Sequence, residues 1–129
     1  MIPELVERRN RIAQTRRALL AQLDGLSPAQ DSWHAEEATW SLQEVVEHLV
    51  LAERGGFHLT CSTADGYRAG TPVREGAFAN AGRSIEESIA ATWEPKEKAP
   101  PGAQPEGKSG AWAREAVAAP ELRRPPGGP

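Results

Sequence analysis

Hydrophobic positions recur with helical spacing between residues 40 and 54. They follow the i, i+3, i+4, i+7 pattern of one helix face, and they are Leu42, Val45, Val46, Leu49 and Ala52. Directly before them, Ser41 is followed three residues later by Glu44, the pattern of a capping box at a helix N-terminus. The sequence therefore predicts a helix that begins at Leu42 and runs to about Leu59.

Three polar side chains of this helix have distinct predicted positions. At about 100° per residue, His48 falls at the edge of the apolar stripe and Glu53 falls inside it, whereas Glu47 points outward. An ion pair with an arginine of the preceding helix is the simplest role for Glu53, because a buried charge needs a partner. Gly55-Gly56 marks the place where the helix could fray or kink.

A first helix is predicted from Pro3 to Leu23. Its apolar stripe comprises Leu5, Val6, Ile12, Ala13, Leu19, Leu20 and Leu23. Asp24-Gly25 ends it, since glycine readily adopts the left-handed conformation after a helix. The predicted fold class is all-α, with residues 3–24 and 42–60 forming an antiparallel helical hairpin.

The pattern Trp-Ser-x-x-Glu-Val-x-x-His-Leu at residues 40–49 follows a helix that ends in Leu-Asp-Gly-Leu-Ser-Pro at residues 23–28. Together these residues resemble the start of the DinB-like (DinB/YfiT) superfamily. The resemblance implies half of a metal-binding four-helix bundle related to thiol-dependent transferases. It also implies that His48 is a ligand of a divalent metal, zinc or nickel.

Composition divides the chain into two parts. Residues 1–62 hold 16 of the 22 Leu, Ile, Val and Phe residues, whereas residues 63–129 hold nine of the eleven prolines and nine of the twelve glycines. Such a Pro/Gly content is typical of irregular or disordered chain. We therefore predict a helical hairpin at 1–62 and a partly disordered tail at 63–129. Within the tail, short helices are predicted after the Ser84/Glu87 capping box and at 111–117.

Charge and composition exclude several classes of protein. A net charge of −3 and a pI near 5.6 argue against a nucleic-acid partner, which requires a clustered basic face. The chain has no apolar run long enough for a membrane span and no apolar segment typical of a signal peptide. The lone Cys61 is consistent with a reducing cytoplasm, which is the predicted location.

The histidines bear on the metal site that the resemblance implies. The chain has three, His34, His48 and His58, and no two of them are four residues apart. On one helix His48 and His58 would lie about 15 Å apart along the axis, too far to share one ion. The ligand set that the resemblance implies is therefore incomplete, and no catalytic residue is predicted. His48 is either a retained metal ligand, as the resemblance implies, or a histidine at the edge of the core that is kept by helix packing, and catalysis is doubtful.

Two functions stay open at this stage. One is a shortened DinB-like protein that binds a divalent metal, and the other is a non-catalytic remnant or oligomerisation module. A hairpin leaves its apolar faces half covered, so a homo-oligomer through the exposed apolar face is predicted. Two hairpins with twofold symmetry could bring two copies of His48 into one core.

Overall fold

A computed structural model describes residues 2–71, 80–92 and 98–119. These ranges are helical and contain no strand, which confirms the all-α prediction. In chain order the elements are α1 (Pro3–Leu23), α2 (Pro28–Asp31), α3 (Leu42–Arg68), α4 (Ile85–Thr92), a 3-10 turn (Pro101–Ala103) and α5 (Gly110–Ala118).

The predicted helix starts are confirmed by their hydrogen bonds. At α3 the Ser41 backbone N–H donates to Glu44 Oε2 at 2.7 Å, and the Glu44 backbone N–H donates back to Ser41 Oγ at 3.4 Å. Ser84 and Glu87 make the equivalent pair of bonds at α4. A third capping box, between Ser27 and Gln30, starts α2. Each box supplies acceptors for backbone N–H groups that the first helical turn leaves without partners.

Helix α3 is longer than predicted. It continues through Gly55-Gly56 without a break and ends at Arg68 rather than near Leu59. Its end is a Schellman motif, in which the backbone N–H of Thr71 donates to the Gly66 carbonyl and that of Gly70 donates to the Tyr67 carbonyl. Gly70 has φ of +72°, the left-handed conformation that this motif requires.

The core is built around α5, which lies within the Pro/Gly-rich part of the chain. α5 packs against both α3 and α1, whereas α1 and α3 make few direct contacts with each other. The buried cluster comprises Leu23, Val46, Val50, Ala113, Ala116 and Val117. Three of these six residues belong to α5, so the two long helices meet largely through the short one.

The apolar stripe predicted for α3 does not coincide with its buried face. Val46 is buried, but Val45 and Leu49 are exposed, and Glu47 and Val50 are buried instead. The reason is that α5 and the turn before it pack on the side of α3 that carries Glu47 and Val50. The prediction that Glu47 points outward was therefore wrong.

The remaining helix, α4, shares no extensive interface with the other described elements. Its apolar residues Ile85 and Ile89 are both exposed. None of the helices within the described ranges combines the length and apolar content that crossing a membrane requires.

Candidate functional site

Among the residues that the structure describes, the most deeply buried charged one is Glu47, whose exposed fraction is 0%. Its Oε1 accepts a hydrogen bond from the backbone N–H of Glu106 at 2.7 Å, and its Oε2 accepts one from that of Lys108 at 3.0 Å. Gly107, between these donors, has φ of +87°, and a turn with such a residue directs neighbouring N–H groups to one side, where they bind an anion. Both carboxylate oxygens of Glu47 thus have partners, as burial of a charge requires.

His48, the next residue, holds the same segment from beside Glu47. Its Nδ1 lies 2.6 Å from the carbonyl oxygen of Ala103. Because a carbonyl can only accept, Nδ1 carries the proton, and in the neutral ring Nε2 then keeps its lone pair. The Trp40 ring lies 5.1 Å from the His48 ring, tilted by 45°, and no described residue donates a hydrogen bond to Nε2. We call Glu47, His48 and the 101–110 segment the polar joint.

The donor set around His48 meets part of what a metal requires. A metal-binding histidine commonly donates its other ring N–H to a carbonyl or carboxylate, and His48 makes such a bond. A catalytic zinc, however, needs about three protein ligands. Among residues 2–71, 80–92 and 98–119, no three His, Cys, Asp or Glu side chains lie close enough to share an ion. The described residues therefore fit one ligand but not a complete site.

A second polar contact anchors α5 from its other side. Arg114 donates to both carboxylate oxygens of Asp31 at 2.6 Å, and its Nη2 also donates to the Leu23 carbonyl at 3.2 Å. The hydrogen bonds to Asp31 raise the pKa of Arg114 above its ordinary value. Gly110 lies against this pair, because a Cβ there would be 2.7 Å from Asp31 Oδ2. Arg114 thus joins α5 to α2 and to the end of α1.

Beside the polar joint, Glu44 completes the cap of α3. The pKa of the Glu44 carboxyl is lowered, mainly because the backbone N–H of Ser41 donates a hydrogen bond to it. The Ser41 hydroxyl and His34 also lower this pKa, whereas partial burial raises it. His34 Nε2 lies 3.7 Å from Glu44 Oε2, and its Nδ1 lies 2.7 Å from the Thr39 carbonyl. These contacts order the connection that precedes α3.

On the side of α3 that faces α1, an open cavity of about 730 Å³ separates the two long helices. We call it the groove. Its apolar lining residues are Ile12, Leu19, Leu49, Val50 and Val117, and its charged lining residues are Glu4, Glu7, Arg8, Arg11, Arg16, Glu53 and Glu86. Arg16 pairs with Glu53 across the groove, and Arg8 reaches Glu86 of α4 at 3.5 Å. His48 does not line it.

The structure places the sequence-predicted residues as follows. Glu53 pairs with an arginine of the first helix, as predicted, and the arginine is Arg16. His34 and His58 are exposed. The role of Glu47 was missed, because its donors lie 59 and 61 residues further along the chain and are backbone groups.

Because His48 does not line the groove, a second copy bound there would leave the two His48 rings on the far sides of their α3 helices.

Comparisons of the chain with protein-family models, with curated proteins and with solved structures found no match. The DinB-like interpretation therefore rests on the sequence pattern at residues 40–49.

Proposed function

We propose that this chain is a DinB-like helical protein that binds a divalent metal through Nε2 of His48. The proposal includes no catalysis, because the described residues do not supply a complete set of metal ligands. The observation that supports it is the bond from Nδ1 to Ala103, which fixes the ring and leaves Nε2 as the ligating atom. The sequence pattern around His48 supports the same interpretation, and the single-ligand donor set is the reason that catalysis is left out.

The test is a measurement of bound metal with a matched pair of variants. His48→Asn keeps a donor at the position of Nδ1 and removes Nε2, so it separates metal binding from the contact with Ala103. His58→Asn is the control, because His58 is an exposed histidine of the same helix. The protein is dialysed against zinc or nickel and its metal content is measured by elemental mass spectrometry.

The proposal predicts bound metal in the wild type and in His58→Asn, and its loss in His48→Asn with helicity unchanged. Metal that stays bound in His48→Asn would contradict it, and so would a wild type that binds none. A ratio of one metal to two chains would indicate that a second chain supplies further ligands.

A second candidate function is self-association, which the groove favours. Ile12 of α1 and Leu49 of α3 both line the groove and are 50% and 44% exposed. Exposed apolar residues that cluster on one face mark a surface that another molecule covers. In this candidate the chain is a helical module whose role is to assemble, and the metal ligand is a separate feature on the other side of α3.

A further inference from the structure

The charges of α1 that line the groove have an order that matters for what can cover it. Along the helix the signs run negative at Glu4 and Glu7, then positive at Arg8 and Arg11. A twofold rotation about an axis perpendicular to the helix, through the midpoint between residues 7 and 8, exchanges the position of Glu4 with that of Arg11 and the position of Glu7 with that of Arg8. A helix face with this antisymmetric order is complementary to itself in a twofold arrangement.

The same face contains charges that no described residue neutralises. Glu4, Glu7 and Arg11 have no ion-pair partner in the ranges that the structure covers, whereas Arg8 and Arg16 each have one. Glu4 and Arg11 are seven residues apart, about two helical turns, so they lie on one face of α1. These two side chains are the pair available to an incoming molecule.

Apolar residues of α1 are compatible with the same rotation. Leu5 and Ile12 are exposed, seven residues apart, and lie beside the row that contains Glu4 and Arg11. The rotation brings Leu5 of one copy alongside Ile12 of the other, within about 3 Å along the helix axis. An interface with an apolar row beside a charged row has the composition that stable protein contacts show.

We propose that a second copy of this chain covers the groove, with the two α1 helices packed antiparallel so that Glu4 of each copy pairs with Arg11 of the other. This proposal rests on the second candidate function and specifies its partner and its geometry. Its symmetry makes each charge pair occur twice, so one substitution changes the interface at two places.

The test is a charge-reversal experiment on the full chain. Glu4→Arg places two arginines opposite each other in a homodimer, and Arg11→Glu places two glutamates opposite each other. Each variant alone should raise the dimer dissociation constant about tenfold or more in sedimentation velocity.

An equimolar mixture of the two variants should dimerise again. In the mixed dimer the arginine introduced at position 4 of one chain faces the glutamate introduced at position 11 of the other. The second pair is the wild-type one, because the unchanged Arg11 of the first chain faces the unchanged Glu4 of the second. Arg17→Glu, on the opposite face of α1, is the matched control and should leave the dissociation constant unchanged.

The outcomes separate this geometry from self-association in general. Restored dimerisation in the mixture, with helicity equal to that of the wild type, supports the antiparallel α1 pairing. A wild-type dimer that neither reversal weakens would overturn this geometry and leave self-association through another face. A wild type that sediments as a monomer at hundreds of micromolar would overturn both.

Discussion

The two sides of α3 are held in different ways. On one side, the polar joint buries a glutamate completely and gives both of its oxygens backbone donors. On the other side, Leu49 is exposed at the edge of the groove although it lies between His48 and Val50 in sequence. The difference teaches that burial along this helix follows the segment that returns to cover it, rather than the hydrophobicity of each residue.

The largest predicted effect is on the polar joint. Glu47→Ala removes the buried acceptor of two backbone N–H groups and with it the contact between α3 and the segment before α5, so we expect a loss of about 3 kcal/mol in the free energy of unfolding. Chemical denaturation measures it, with Glu115→Ala, an exposed glutamate of α5, as the control. A loss no greater than that of the control would mean that the joint does not hold α5 in place.

The Asp31–Arg114 pair tests the second anchor of α5. Asp31→Ala leaves the Arg114 guanidinium without its carboxylate partner, and we expect a loss of about 2 kcal/mol. Arg114→Met should cost a similar amount, and the double variant should cost clearly less than the sum, since the two residues share one interaction. Additive effects in unfolding experiments would show that the pair is not coupled.

Two adjacent residues at the groove, one buried and one exposed, give the most direct contrast. Val50→Ala should cost about 1.5 kcal/mol because Val50 is in the core, whereas Leu49→Ala should cost less than about 0.5 kcal/mol in the monomer. The same Leu49→Ala variant should weaken any dimer that forms through the groove. Equal losses in the free energy of unfolding of the two variants, measured at a protein concentration below the dimer dissociation constant, would contradict the assigned burial.

How far the sequence alone predicted this structure depended on the kind of signal. Capping boxes are local, so Ser41/Glu44 and Ser84/Glu87 marked helix starts correctly. The ion pair of Glu53 was also predicted, because a charge within an apolar arc needs a partner on the facing helix.

The missed features depend on contacts between distant parts of the chain. Glu47 accepts from backbone groups near Gly107, and no side-chain pattern indicates such donors. α5 enters the core with Ala113 and Ala116, small residues that a count of large apolar side chains overlooks. The length of α3 was missed because a glycine pair inside a helix is typical of a break, whereas α3 continues through Gly55-Gly56 and ends at the Schellman motif around Gly70.

A further predicted effect concerns pH. Because the pKa of Glu44 is lowered in the folded state, its contribution is fully present above the ordinary value of about 4.3 and is lost as the pH falls through the folded-state pKa. We expect about 1 kcal/mol of stability to disappear over this range. Glu44→Gln keeps an acceptor for Ser41 and should flatten this part of the pH profile, and an unchanged profile would argue against the contribution of the cap.

The central functional claim concerns the two nitrogens of one ring. It is tested most directly by two-bond ¹H–¹⁵N correlation spectra of histidine-labelled protein at about pH 8, where an imidazole is neutral. The account predicts that His48 is protonated at Nδ1 and that zinc shifts its Nε2 resonance, while His34 and His58 stay unchanged. A His48 protonated at Nε2, or an Nε2 resonance that zinc leaves in place, would contradict it.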